Sequence, residues 1–193
     1  MKKIFLFIII FTSISFAQTV VDSYSESNYS ADIFEFDALT PMAGQAFTGN
    51  GLPLSGAKFY LKKNGTPAGN VYAKLYASTG TYGSTCKPTG DVLATSDAIV
   101  ANSLSTSMEL ISFTFSTPYT LVNGTKYIIV ANAPNSLGNA TVIIGADNTS
   151  PSHAGNASYI SSTTWYALAD WDLCFYVYGI SPTTFIPIIT FIE

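Results

Sequence analysis

The chain of 193 residues contains no arginine: its eight basic residues are all lysines, set against twelve Asp plus Glu. Phosphate backbones are gripped by clustered Arg and Lys, and base edges are read best by bidentate Arg. A net-acidic, arginine-free chain is therefore not built for nucleic acid, nor for a polybasic contact with a membrane. Histidine is almost absent too. His153, in "NTSPSHAGN", is the only one. A catalytic triad needs a base oriented by a carboxylate beside a nucleophile, and a zinc site usually needs several His or Cys ligands. His153 has no histidine partner and no G-x-S-x-G elbow accompanies it, so it reads as a loop residue. Carboxylates are sparse: Asp170 and Asp172 flank Trp171, and Asp147 precedes Asn148. A glycosidase needs two carboxylates facing each other across a sugar, and nothing places a cleft between these. The chain does not read as an enzyme, and no cofactor is implied. Loop Asp and Asn residues suit a structural calcium, or they simply build turns.

Cysteine is scarce as well. Cys86 and Cys174 are the two present. An even pair in a secreted protein most simply forms one disulfide, here closing a loop of about 88 residues and adding about 4 kcal/mol. The plainer alternative is two unpaired thiols. Helical periodicity is missing throughout. Short apolar or alternating runs are separated by Gly, Asn, Pro and Ser clusters, the pattern of an all-β sandwich or barrel.

What is present begins with "MKKIFLFIIIFTSISFAQ": two lysines, an apolar run from Ile4 to Phe11 and a small-residue exit at Ser15-Phe16-Ala17. This reads as a secretory signal over residues 1–17, its apolar run well short of the roughly 20 residues that span a bilayer. The expected location is extracellular or at a cell surface, with no membrane span in the mature chain. Loss of the signal's two lysines leaves six against twelve Asp plus Glu, a formal −6. One β-sandwich domain is expected over residues 18–179, followed by an apolar tail over 180–193. Six Asn-x-Ser/Thr sequons start at Asn28, Asn64, Asn123, Asn139, Asn148 and Asn156.

The strand candidates are Val20–Ser25, Gly44–Phe47, Ala57–Lys62, Val71–Ala77, Val92–Ser96, Glu109–Phe115, Lys126–Asn132, Ala140–Gly145, Ser158–Ser161 and Asp172–Tyr178. In "AKFYLKKNGTPAGNVYAKLYA" the residues Ala57, Phe59, Leu61 and then Val71, Ala73, Leu75, Ala77 alternate with lysines and tyrosines. The turn formers between the two arms predict a hairpin. Its inner face would be apolar, and its outer face would carry Tyr60, Tyr72 and Tyr76 among lysines. "KYIIVAN" is apolar on both faces, as a central strand should be. Leu173, Phe175 and Val177 predict a closing core strand, with "WYALADW" before it a loop. The tail beyond Gly179 is apolar around Pro187; it reads as a linker, or as a strand donated to another copy in self-association.

Several phrases together are familiar: "VVDSYSESN", "GQAFTGNGLPLSGAKFYLKKNGTPAGNVYAKLYA", "YGSTCKPTGDVLATSD", "LISFTF", "LVNGTKYIIV", "DNTSPSHAGN" and "DLCFYVYG". In this order they resemble a secreted jelly-roll module of the choice-of-anchor type, over about Val20 to Gly179. The resemblance implies an antiparallel two-sheet jelly-roll-like β-sandwich, similar to carbohydrate-binding domains of bacterial, archaeal and phage-associated surface proteins. It implies no catalytic motif. The ligand candidates are Trp165, Tyr166 and Trp171 with Asp170, Asn156 and Asp147, together with Tyr60, Tyr72 and Tyr76 of the tyrosine-lysine face, because aromatic rings cover the apolar face of a sugar while nearby polar groups meet its hydroxyls. The same aromatics could instead cap the end of the sandwich, since Trp is on average highly buried. The expected function is non-enzymatic surface attachment or display through glycans or another cell-surface polymer. The alternative is a structural subunit of a surface layer, filament or phage-like particle.

Overall fold

The computed structural model describes residues 15–133 and 140–183. Among these residues the chain forms β1 (Ser15–Tyr24), β2 (Ala31–Phe36), β3 (Met42–Thr48), β4 (Pro53–Asn64), β5 (Asn70–Thr79), β6 (Lys87–Thr95), β7 (Ile99–Val100), β8 (Glu109–Thr120), β9 (Lys126–Asn132), β10 (Thr141–Asp147), β11 (Ala157–Ser161), β12 (Thr164–Leu168), β13 (Asp172–Leu173) and β14 (Phe175–Thr183). Among the described residues helix is confined to two 3-10 turns, Glu26–Asn28 and Ala101–Ser103.

Four antiparallel pairs are nested in the chain: β1 with β14, β3 with β9, β4 with β8, and β5 with β6. They fall alternately in two sheets. The strand path β1-β14-β4-β8 belongs to sheet A, and β3-β9-β5-β6 to sheet B. This nested, alternating order is that of a jelly roll, so the all-β two-sheet sandwich expected from the sequence is the fold observed. Sheet A is extended by β10, β2 and β13, and sheet B by β11, β12 and the short β7.

Period-two alternation builds the core. Ala57, Phe59 and Leu61 of β4, Phe113 and Phe115 of β8, and Phe175 and Val177 of β14 meet Phe47 of β3, Val71, Ala73 and Leu75 of β5, and Ile129 and Ala131 of β9 in one buried cluster. The alternate residues of β9, Ile128 and Val130, are buried in a second cluster with Ala46, Tyr76 and Cys86. The central strand is thus covered on both faces, as its composition required.

The expected hairpin between β4 and β5 is not formed. β4 pairs with β8, β14 and β10, whereas β5 pairs with β9, β6 and β7. Residues 65–69 carry the chain from sheet A to sheet B, with Gly65 (φ 65°) and Gly69 (φ 78°) in the left-handed region. Five residues easily cross the roughly 10 Å between packed sheets. Burial of both apolar arms drives this: as an arch they face each other across the core, whereas in a hairpin they would lie side by side and need a further layer. The expected tyrosine-lysine surface is consequently split. Tyr60 stands on the outer face of sheet A; Tyr72 and Tyr76 stand on that of sheet B.

Cys174 sits in a fork between β4 and β10. Its N–H donates to Gly145 O (3.1 Å) and its carbonyl accepts from Tyr60 N (3.2 Å). β13 follows the edge of β10 and β14 follows the edge of β4, so the chain reverses in a V with Cys174 at its vertex. Cys86 is buried in the outer cluster of sheet B. Both cysteines are free and buried, which corrects the expected disulfide. The sandwich keeps them in different sheets, beyond the 4.4–6.8 Å Cα separation, roughly, that a disulfide needs. β14 also continues past Gly179 to Thr183, where Ser15–Ala17 pair with Ser181–Thr183. Most of the expected signal segment and the apolar run of the tail lie outside the described residues.

Candidate functional site

The first part of the expected loop "WYALADW" lies in the strand β12 (Thr164–Leu168), paired with β11 through Ile160↔Trp165 and Tyr159↔Tyr166. It forms one edge of sheet B. The sheet curls until this edge approaches the start of β6, where Lys87 Nζ donates to Trp165 O (3.4 Å). Between them lies a groove of about 540 Å³ lined by Thr79, Gly80, Thr85, Lys87, Thr164, Trp165, Tyr166 and Ala167. Its shape depends on Gly80. This residue has φ 89°, and a Cβ there would lie 2.3 Å from Thr85 O.

Trp165 and Tyr166 alternate, so they point to opposite faces of β12. The Trp165 indole packs on the outer cluster of sheet B, edge-on to Tyr76 (ring centroids 6.2 Å, 64°). Tyr166 is 47% exposed and stacks on Tyr159 (5.4 Å, 24°). Trp165 therefore both caps a cluster and lines a groove, and burial of its partner Tyr76 pushes that phenol's pKa up.

The other expected site residues are dispersed. Trp171 packs against the inner core, and its carbonyl accepts from Ala157 N (2.8 Å). Asp170 is exposed beside it. Asn156 is wholly buried, its Nδ2 donating to Cys86 O (2.9 Å) and Ala157 O (2.8 Å), so it is structural. Asp147 is buried as well and accepts from Tyr24 Oη (2.7 Å), Thr149 N (2.8 Å) and Thr149 Oγ1 (2.6 Å). Burial works to raise its pKa, but these hydrogen bonds outweigh it and hold the carboxyl below its usual value. Tyr60 packs edge-on to Tyr29 (5.4 Å), and Tyr72 accepts from Asn70 Nδ2 (3.3 Å). Among the described residues no group of three or more His, Cys, Asp or Glu is placed to hold a metal ion, and no helix is long and apolar enough to cross a membrane.

One constellation had no signal in the sequence. His153 lies in the loop after β10, as expected, but its side chain is only 8% exposed. Its Nε2 is 3.2 Å from Asp22 Oδ1, and its Nδ1 is 3.7 Å from Asp172 Oδ1. Gln45 projects from the inner face of β3 and clamps the same spot. Its Nε2 donates to Asp172 Oδ1 (2.6 Å), and its Oε1 accepts from Leu173 N (2.8 Å). Burial disfavours the imidazolium, yet the hydrogen bonds and charges of Asp172 and Asp22 prevail and raise the His153 pKa to about 9. Asp22 is lowered in turn: burial opposes the shift, but His153 and the N–H groups of Thr48 and Ser23 overcome it. The set ties the two sheets together and does not open onto the groove's lining residues.

The chain matches no family model, no curated protein and no solved structure.

Proposed function

We propose that the chain is a non-enzymatic extracellular module for surface attachment or display that contacts glycans through the groove beside Trp165. The observation that carries this reading is the lining itself. The Trp165 indole lies on the outer side of sheet B, and Thr79, Thr85, Thr164, Lys87 and the strand at Tyr166 complete the lining of about 540 Å³. That volume lies within the range of small-ligand sites. A pyranose ring has an apolar face for Trp165 and hydroxyls for the threonines, and such a groove is open enough for a polymer to pass. The lining residues include no imidazole, thiol or carboxylate, which favours holding a ligand over cleaving one. The jelly-roll order of the strands agrees with the resemblance to choice-of-anchor modules, and the reading of residues 1–17 as a secretory signal puts the module outside the cell.

Glycan-array binding tests the proposal with the wild type, Trp165→Ala and Tyr166→Ala, each checked by circular dichroism. The expected result is saccharide binding that falls at least tenfold in Trp165→Ala and less in Tyr166→Ala, whose ring points to the other face of β12. Absence of any binding, or binding that Trp165→Ala leaves unchanged, overturns it.

A further inference from the structure

A second concavity lies on the outer face of sheet A, in the other sheet from the groove. It is centred on Gly56 of β4, where two ladders slip at once: β4 against β8 between Leu54 and Gly56, and β14 against β4 between Tyr178 and Gly179. The missing side chain forms the floor. A Cβ at Gly56 would lie 2.9 Å from Gln18 Nε2 and 3.2 Å from Phe113 O. Tyr178 and Thr114 flank Gly56 on the neighbouring strands, and Lys58 and Ser112 are cross-strand partners in the next row. Gln18 of β1 closes the rim, held by its bond from Nε2 to Ser55 Oγ (3.3 Å). The cup measures about 110 Å³. Lys58 Nζ stands over the Tyr178 ring, 5.4 Å from its centroid.

The chemistry of this lining is specific. It offers an ammonium, two hydroxyls, an amide N–H₂ and one aromatic wall, and no carboxylate. The groove at Trp165 has the same make-up: one lysine, threonine hydroxyls, aromatics and no carboxylate. In a chain whose twelve acidic residues outnumber its eight lysines, neither lining includes a carboxylate; Glu26, which accepts from Tyr176 Oη (2.6 Å), acts on Lys58 from beside the sheet A cup. A cup of this size admits a substituent, not a whole sugar ring, and its donors suit an anionic oxygen pair. The ring carrying that substituent would rest on Tyr178.

We infer that the outer face of sheet A is a second saccharide subsite that takes the carboxylate of an acidic sugar, so that the module is bivalent towards uronate-containing polymers. This rests on the glycan reading of the groove and adds to it a second position and a ligand class. Calorimetry with a uronate oligosaccharide and its carboxyl-reduced counterpart tests it on the wild type, Lys58→Met, Gly56→Ala and Trp165→Ala. Two sites per chain are expected for the uronate. Lys58→Met and Gly56→Ala should each leave one, with affinity at the sheet A subsite at least tenfold weaker, and the reduced sugar should occupy the groove alone. A single site in the wild type, or two undiminished sites in both sheet A variants, overturns the inference while leaving the glycan reading standing. Loss of all binding in Trp165→Ala does the same. Displacement of the uronate by acetate at equal concentration overturns the saccharide part, since the cup would then be a plain carboxylate site. If neither saccharide binds at all, the glycan reading fails and this inference fails with it.

Discussion

His153 Nε2 lies 3.2 Å from Asp22 Oδ1, so the single histidine of the chain fastens the loop after β10 to the first strand. Asp172, only 1% exposed, faces the same ring from the other side. A carboxylate so deeply buried needs a compensating charge, and the imidazolium is the cation within reach. Two contacts pull the other way: Gly155 N–H points at Nδ1 from 3.0 Å and the Gln45 Nε2 amide from 3.2 Å, an arrangement that suits a neutral ring. The two carboxylates outweigh these two amide dipoles.

The first prediction is therefore that His153 remains protonated at neutral pH. Its pKa is raised from 6.5 to about 9 by Asp172 and Asp22 against the effect of burial. A group whose pKa is higher folded than unfolded stabilises fully below its unfolded value and loses that contribution as pH rises through the folded one. Stability from this contact should be complete below pH 6.5 and decline towards about pH 9. Asp22 behaves oppositely, because its pKa is lowered: its contribution is present above 3.8 and fades as pH falls. With one histidine, the imidazole resonances need no assignment by mutation. An NMR titration midpoint at or below 6.5 would sink the idea.

Removing that cation should be costly. His153→Ala leaves Asp172 buried without a compensating charge, and breaking such a pair typically costs about 3–5 kcal/mol. Adding Asp172→Asn to His153→Ala should return part of the loss, since the amide needs no cation. Denaturant unfolding of the single and double variants checks this, and a double variant no more stable than His153→Ala would show that charge is not the cause.

Both thiols are buried, and burial pushes each pKa up, that of Cys174 to about 12. Thiolate is the reactive form, so the native protein should not react with a thiol-specific chromogenic reagent. The same protein unfolded without reductant should show two thiols. A count of zero after unfolding would establish the disulfide that the sequence suggested.

Much of the architecture was written in alternation. All ten strand candidates overlap strands and Lys126–Asn132 coincides with β9, but the expected strand Asp172–Tyr178 is broken at Cys174 into β13 and β14. The alternation of Phe59 and Leu75 was legible, but it is identical in a hairpin and in an arch, so the sheet to which each arm belongs was not. β12 escaped because "TWYAL" does not alternate apolar with polar. Within the site, Trp165 and Tyr166 were legible by residue type. Asn156 and Asp147 were not separable from surface residues, because composition says nothing about burial. The His153 cluster was hidden for another reason: its partners Asp22 and Asp172 are 131 and 19 positions away, and only the fold unites them.

The inward facing of β4 can be tested through side chains that alternate along it. Phe59 is fully buried and packs edge-on to Phe113 (6.1 Å), whereas Lys58 beside it lies on the outer face. Phe59→Ala should cost about 3–5 kcal/mol, as large-to-small changes in a well-packed core do. Lys58→Met should move stability by no more than about 0.5 kcal/mol. Equal effects at the two positions would contradict the inward placement of Phe59 and the outward one of Lys58.

The sequons give the last prediction, because burial divides them where sequence cannot. Asn28, Asn64, Asn123 and Asn148 are exposed. Asn156 carries the same Asn-x-Ser pattern, but its side chain is fully enclosed and its amide is bonded to Cys86 O and Ala157 O. A glycan is bulky and must project into solvent. Attaching one at Asn156 would also remove an Nδ2 proton needed for those bonds and force the loop off β3, where Ala46 N donates to Asn156 O (3.0 Å). Expressed in a host that glycosylates secreted proteins, the folded chain should carry no glycan at Asn156, while the exposed sequons remain available. Peptide mass spectrometry after enzymatic deglycosylation in heavy-oxygen water marks every occupied asparagine. A folded chain fully modified at Asn156 would mean that this loop is not packed as described, and the clamp on His153 through Gly155 would fall with it.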